Sequence, residues 1–316
     1  MKRVVFLAML VALAIGASVN WSSASSVSQT GSELLQLLPD GNGVVVVDVQ
    51  RLTSSSLWST LAAQNPIKKG LDDAQAELGK LGVSLADIQS AAIVFSHSGS
   101  NNATVAVTGS FHQTQLLEGL RAQPNIKVAS EKYKNYDVFT VGSVNKPGDA
   151  SFVFYDARTI IAGSAASVRA AIDVRTGARS SVAQNQKLTA ALASNPAAAV
   201  SFALETPPGM ANMANSAPMP LPDFSAVKLI FGTVDAATNL DINATLRTEK
   251  AEQAKNIADR LNGLLEMAKG YLSSMSGDPK MAGLVQALKT VTITGNDIDV
   301  KITGSLPQEI FSQIVR

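Results

Sequence analysis

A run of strand, turn, strand and helix occurs twice in this sequence, and that recurrence limits the possible folds more than any other feature. Ala92–Ala122 reads as two apolar strands around a polar turn, followed by an amphipathic helix. Val227–Asn262 reads in the same order. Phe95 aligns with Phe231 and, with one residue inserted in the turn, Val105 aligns with Ile242. A short helix, a stop and a lone strand precede each run. Ser32–Leu38 is stopped by Pro39-Asp40-Gly41 before Val44–Val49, and Gln186–Ala193 is stopped by Ser194-Asn195-Pro196 before Ala198–Leu204. Val45, Val47 and Val49 match Val200, Phe202 and Leu204. Two matches in one order predict a tandem repeat of roughly 145–155 residues.

Val44–Val47 is apolar on both faces, which predicts a central strand. Further strands are expected at Ile126–Glu131, Tyr136–Val141, Phe152–Phe154 and Thr159–Ala162, and at Thr290–Thr294 and Ile298–Thr303. Leu240, Ile242, Ala244 and Leu246 alternate with Asp241, Asn243, Thr245 and Arg247, the period of an antiparallel strand with one wet face. Thr53–Ala63 is expected to be helical, and so is a helix capped by Asn65, with Pro66 at its first position and Leu71, Ala74 and Leu78 on one face. Helices are also expected at Gln113–Ala122 and Thr248–Met275. The last carries a seam of Ala251, Ala254, Ala258, Leu261, Leu265, Ala268, Leu272 and Met275, suited to lying across its own sheet.

The fold class is therefore α+β: a tandem duplication of a unit whose antiparallel sheet is covered on one face by helices. The division expected is a signal at residues 1–24, a disordered linker at 25–31, a first repeat at 32–185 and a second at 186–316.

Lys2 and Arg3 precede the uncharged run Val4–Ala17, and small residues follow, with Ser22 and Ala24 placed for cleavage. A spanning helix needs about 20 apolar residues, so this reads as an export signal rather than an anchor. The expected location is periplasmic or extracellular, with no integral membrane segment after cleavage. There is no cysteine, so neither a lipid-modified cysteine nor a disulfide can form. Net charge is +1, falling to −1 when Lys2 and Arg3 leave with the signal. That balance gives no electrostatic pull toward nucleic acid.

Catalytic patterns are scarce. The two histidines, His97 and His112, lie beside a turn and a helix start, and neither belongs to a zinc-binding spacing. Ser143/Lys146 and Ser225/Lys228 have the Ser-x-x-Lys spacing that works within one helical turn, yet one falls in a turn and the other enters a strand. Gly41-Asn42-Gly43 precedes a strand, so its amides meet no helix start. No cofactor is implied, and the chain reads as non-enzymatic.

The stretch that lacks a structural reason is Thr206–Asp223, which holds five of the 12 prolines and three of the eight methionines in 18 residues. Long loops in compact domains tend to be lids or binding loops. Met210, Met213, Met219 and Leu221 are apolar and adaptable, so they are the candidate ligand or partner contacts. The competing readings are a loop that covers its own domain and a thioether site for Cu(I).

An export signal, a Leu-Pro-Asp-Gly opening into a Val-rich strand ending in Asp (Leu38–Asp48) and two α+β repeats resemble a group of exported proteins of soil and environmental bacteria, known only as a domain of unknown function. The resemblance implies the repeat and the location, and it carries no catalytic residue. The expected role is binding or scaffolding at the cell envelope, with an envelope protein or a hydrophobic ligand as partner. A carrier of a hydrophobic small molecule would need a cavity lined by Phe231, Ile242 and the seam of the long helix.

Overall fold

A computed structural model of the 316-residue chain describes residues 28–96, 103–143, 146–193, 198–206, 222–235, 238–274 and 279–310. The first half contributes α1 (Ser28–Leu35), β1 (Gly43–Asp48), α2 (Val49–Thr53), α3 (Ser56–Ala62), α4 (Asn65–Gly79), β2 (Ile88–Phe95) and β3 (Ala103–Gly109). It continues with α5 (Gln113–Arg121), β4 (Ile126–Tyr133), β5 (Tyr136–Ser143), β6 (Lys146–Phe154), β7 (Thr159–Gly163) and α6 (Ala165–Arg175). The second half contributes α7 (Gln186–Leu192), β8 (Val200–Glu205), β9 (Val227–Asp235), β10 (Asn239–Thr248), α8 (Ala251–Ser274), α9 (Pro279–Thr290), β11 (Thr292–Asn296) and β12 (Asp299–Pro307).

The twelve strands among the described residues form one antiparallel sheet in the order β11-β12-β10-β9-β8-β1-β2-β3-β7-β6-β5-β4. β1 lies in its middle, as its two apolar faces require. Outward from the β1–β8 junction the halves run β1-β2-β3-β7-β6 and β8-β9-β10-β12-β11, and the first half alone adds the hairpin β5-β4. Cross-strand pairing corrects the alignment of the two runs. Val45 faces Ile93, which faces Val105; Val200 faces Val234, which faces Ile242. Ile93 and Val234 therefore hold matching places, whereas aligning Phe95 with Phe231 would set Ile93 against Leu229. Side chains alternate along a strand, so the two phenylalanines fall on opposite faces.

One face carries Val44 and Val46, the other Val45 and Val47. On the Val44 face, the largest core cluster joins Leu34, Leu35 and Leu38 to Val44, Ala92, Val94, Ala106, Val138, Val153 and Ile161. Val168, Ala171 and Ile172 of α6 and Leu188 and Ala191 of α7 close over it, and Leu229 and Phe231 belong to it as well. On the Val45 face, α4 and α5 cover β7, β6 and β5 through Leu78, Leu81, Val83, Leu116, Leu120, Phe139, Phe152 and Ala162. α8 covers β10, β12 and β11 through Ala254, Ile257, Ala258, Val227, Leu246 and Val300.

Three expectations are corrected. Helices cover both faces rather than one, because central strands apolar on both sides would otherwise leave one side in water. The boundary expected at residue 185 runs through one continuous sheet. β1 of the first half pairs with β8 of the second, and the main cluster draws side chains from both halves. Finally, α1 begins at Ser28, so residues 28–31 are helical rather than linker.

Smaller shifts follow from local chemistry. Gln64, not Asn65, is the N-cap of α4, so Asn65 and Pro66 lie inside the helix. Thr53–Ala63 divides into α2 and α3, with Ser54 the C-cap of α2. Thr248 stays in β10, its hydroxyl bonded to Ile298 C=O at 2.9 Å, so the long helix starts later, at Ala251. The seam of α8 is buried at Ala254 and Ala258, where the helix crosses the sheet, while Leu265, Ala268 and Leu272 are half-buried beside α9.

Candidate functional site: an apolar strip on the central strands

Register fixes which side chains share the Val45 face. Three cross-strand rows run over β3, β2, β1, β8, β9 and β10. The first is Ala103, Phe95, Gly43, Leu204, Ile230 and Leu246. The second is Val105, Ile93, Val45, Phe202, Gly232 and Ala244, and the third is Val107, Ala91, Val47, Val200, Val234 and Ile242. Every position is apolar or glycine. α2 and α3 pack over the third row through Leu52 and Leu57 on Val47, while α5 and α8 take the flanks.

Ile93 and Val105 within the strip are buried, and among the described residues no helix covers all of the positions around them. Val45, Phe95, Phe202, Leu204, Ile230 and Val234 are half-buried, and Ile242 is 41% exposed. Glycine lets Leu204 lean across the first row, since a Cβ on Gly43 would stand 2.4 Å from Leu204 Cδ2. A surface without a titratable or nucleophilic side chain recognises apolar matter by area and shape.

Polar chemistry lies elsewhere and is engaged structurally. Asp48 ends β1, is 5% exposed, and its Oδ1 accepts the Arg51 N–H at 2.9 Å, capping α2. Its Oδ2 is buried and has no hydrogen-bond partner among the described residues. Burial raises the Asp48 pKa, against the lowering effects of the Arg51 N–H bond and the Arg51 charge. A raised carboxyl favours the folded state in its protonated form. That contribution is full below the unfolded pKa and is lost as pH rises through the folded value. Asp48→Asn, which is uncharged at every pH, should therefore unfold at higher denaturant concentration at neutral pH, by on the order of 1 kcal/mol. The gain should shrink as pH falls and Asp48 itself protonates. Equilibrium unfolding across that pH range checks it, and a gain independent of pH would contradict it.

A second polar group anchors α6 to the β4–β5 hairpin. Asp173 accepts Tyr133 Oη at 3.0 Å and Lys134 Nζ, and the Lys134 bond foremost holds its carboxyl below the usual range. The Arg175 guanidinium lies 4.2 Å from the Tyr155 ring centre, and burial pushes the Tyr155 phenol up.

The residues singled out in the sequence separate in space. Met210, Met213, Met219 and Leu221 lie outside the described residues, as does His97. His112 is the exposed N-cap residue of α5, and its side chain makes no capping bond. Lys228 pairs with Glu249 at 3.4 Å and Ser225 N–H donates to Asp223 at 2.9 Å, so the second Ser/Lys spacing joins neither residue to the other. Thr290 Oγ1 at the end of α9 bonds the Ser305 backbone of β12, and Thr292 of β11 bonds Thr303 of β12 at 2.5 Å. Among the described residues no group of His, Asp and Glu is placed to hold a metal.

Phe231 and Ile242 face opposite sides of the sheet, so they cannot line one cavity with the helix seam. A crevice of about 150 Å³ between α3 and α4, lined by Trp58, Leu71, Asp72, Ala74, Gln75, Leu78 and Leu85, is below the roughly 300 Å³ of the smallest usual ligand pockets. The strip was legible in the sequence only as separate alternating strands. Its rows required the order that sets β8 beside β1.

The chain matches no family model and no curated protein. Among solved structures it is similar in fold to TP0453. Crystal form I of that protein aligns with TM-score 0.51 at 10% identity, covering 92% of this chain and 97% of that one. Crystal form IV aligns with TM-score 0.50 at 9% identity, covering 92% and 99%. At such identity the likeness concerns the arrangement of helices and sheet. No helix among the described residues is long and apolar enough to cross a membrane.

Proposed function

We propose that this is a non-enzymatic binding or scaffolding protein that works outside the bacterial cytoplasm, and that the apolar strip on the Val45 face is its contact surface. The supporting observation is the half-exposure of Val45, Phe95, Phe202, Leu204 and Ile230 on the innermost strands of a twelve-stranded sheet. Such positions normally lie under a helix, and apolar area left accessible there favours a contact role. Export rests on the Lys2-Arg3 and Val4–Ala17 pattern. The sheet itself is a product of tandem duplication in this reading, supported by the shared order β1-β2-β3-β7-β6 and β8-β9-β10-β12-β11.

A carrier of a hydrophobic small molecule is the second reading, because an acyl chain would fit an open apolar strip without an enclosed cavity. Native mass spectrometry of gently purified protein separates the two: an apolar small mass bound in stoichiometric amount selects the carrier, and the bare mass selects the protein-binding role. The surface itself is tested by 1-anilinonaphthalene-8-sulfonate fluorescence. Wild type should enhance the dye, and Phe202→Glu should lose at least about half of that enhancement with the fold retained, because a carboxylate at the centre of the strip stays hydrated. Unchanged dye binding by a folded Phe202→Glu would remove the strip from the account.

A further inference from the structure

We infer that β4 is a self-complementary edge through which two copies of the chain pair antiparallel, continuing the sheet from one copy into the other. The two ends of the sheet differ. β11 is five residues long and packs against α8, whereas β4 has eight residues, no proline and no bulge against β5. Among the described residues no strand lies beyond β4.

The β4–β5 hairpin determines which backbone groups face outward. Tyr133 and Tyr136 flank a two-residue loop whose first residue, Lys134, has φ 52°, so they form the closing hydrogen-bonded pair. Alternation then gives the backbone groups of Glu131, Ala129 and Lys127 to β5. Those of Val128, Ser130 and Lys132 point out of the sheet. Ile126 obeys the same rule, since its N–H turns away from β5 to Gln123 C=O at 3.1 Å.

Only outward-facing residues can bond a second strand, so a two-fold pairing must oppose even-numbered residues. Three central registers satisfy this. One opposes Val128 to Val128, and another opposes Ser130 to Ser130; neither brings opposite charges together. The third centres on Ala129, opposes Val128 to Ser130, and sets Lys127 against Glu131 of the second copy on both sides of the axis. Lys127 and Glu131 are exposed on the Val44 face with the small Ala129 between them. Lys127 has no ion-pair partner among the described residues, and Glu131 is already oriented by Arg169. Edge strands that keep copies apart carry charges that repel in the pairing register, whereas this strand carries charges that attract in it.

Light scattering and sedimentation of the purified chain across a dilution series test the inference. The expected result is a concentration-dependent dimer. Ser130→Pro removes an outward N–H that β5 does not use, so it should give a folded monomer. Lys127→Glu should weaken the dimer about tenfold or more, by opposing two pairs of carboxylates, while Lys132→Glu, whose side chain faces Ile126, should change it by less than about threefold. Wild type that is monomeric throughout would overturn the inference, as would a folded Ser130→Pro that dimerises normally. If Ser130→Pro does not fold, the two charge variants decide, and equal effects from both would reject the register.

Discussion

Leu188→Ala should cost about 3 kcal/mol and shift one single unfolding transition downward as a whole. Leu188 lies on α7, in the second half of the sequence, and is 0% exposed. Its cluster includes Leu34, Leu35 and Leu38 from near the N-terminal end, Val138, Val153 and Ile161 from the middle of the chain, and Leu229 and Phe231 from the second hairpin. Truncation removes the contacts of the leucine and leaves a void that the surrounding helices and sheet close only in part. If the halves were independent domains, calorimetry would show two transitions and the substitution would move one. A single transition that moves intact is expected, because helices before β1 and β8 pack on the same face of a continuous sheet. Two transitions with one unmoved would refute the single core.

Gly232→Ala should be nearly as damaging, at about 2–3 kcal/mol, even though alanine is the smallest addition possible. A Cβ at Gly232 would stand 2.0 Å from Asn243 O and 2.9 Å from Ala244 Cα. Both belong to the backbone of β10, which is held by β9 on one side and β12 on the other, so neither can step aside cheaply. Gly263→Ala in α8 is the control. Nothing lies within 4 Å of a Cβ there, and alanine in a helix should gain about 0.5–1 kcal/mol. Denaturant unfolding of the two variants should therefore shift in opposite directions. Equal shifts would mean that the close approach of β10 to Gly232 has no energetic consequence.

Much of the local structure was legible because short-range physics decides it. Val44–Val47 forms a central strand because nothing polar interrupts it. The period-two residues of β10 do alternate, with Asp241, Asn243, Thr245 and Arg247 on the Val44 face and Leu240, Ile242, Ala244 and Leu246 on the other. The helix Ala165–Arg175 is not legible in the sequence, since alanine and valine without a clear stripe give little helical signal. The structure shows why it forms: Ser164 accepts the Ser167 N–H at 3.1 Å and caps the helix over the Val44 face.

By itself the sequence determined most of the strands and several helices, their α+β class and the lack of cysteine chemistry, because each depends on residues near one another in the chain. Tertiary structure alone decided that β8 pairs with β1, so that two runs of sequence become one sheet with a shared core. It also placed Phe95 and Phe231 on opposite faces, joined Val45 to Phe202 in an apolar strip, and made β4 the last strand of the sheet among the described residues. Those outcomes depend on pairing between strands far apart in the chain. One residue of register exchanges the two faces of a strand, and nothing in a linear pattern records which register the neighbouring strand imposes.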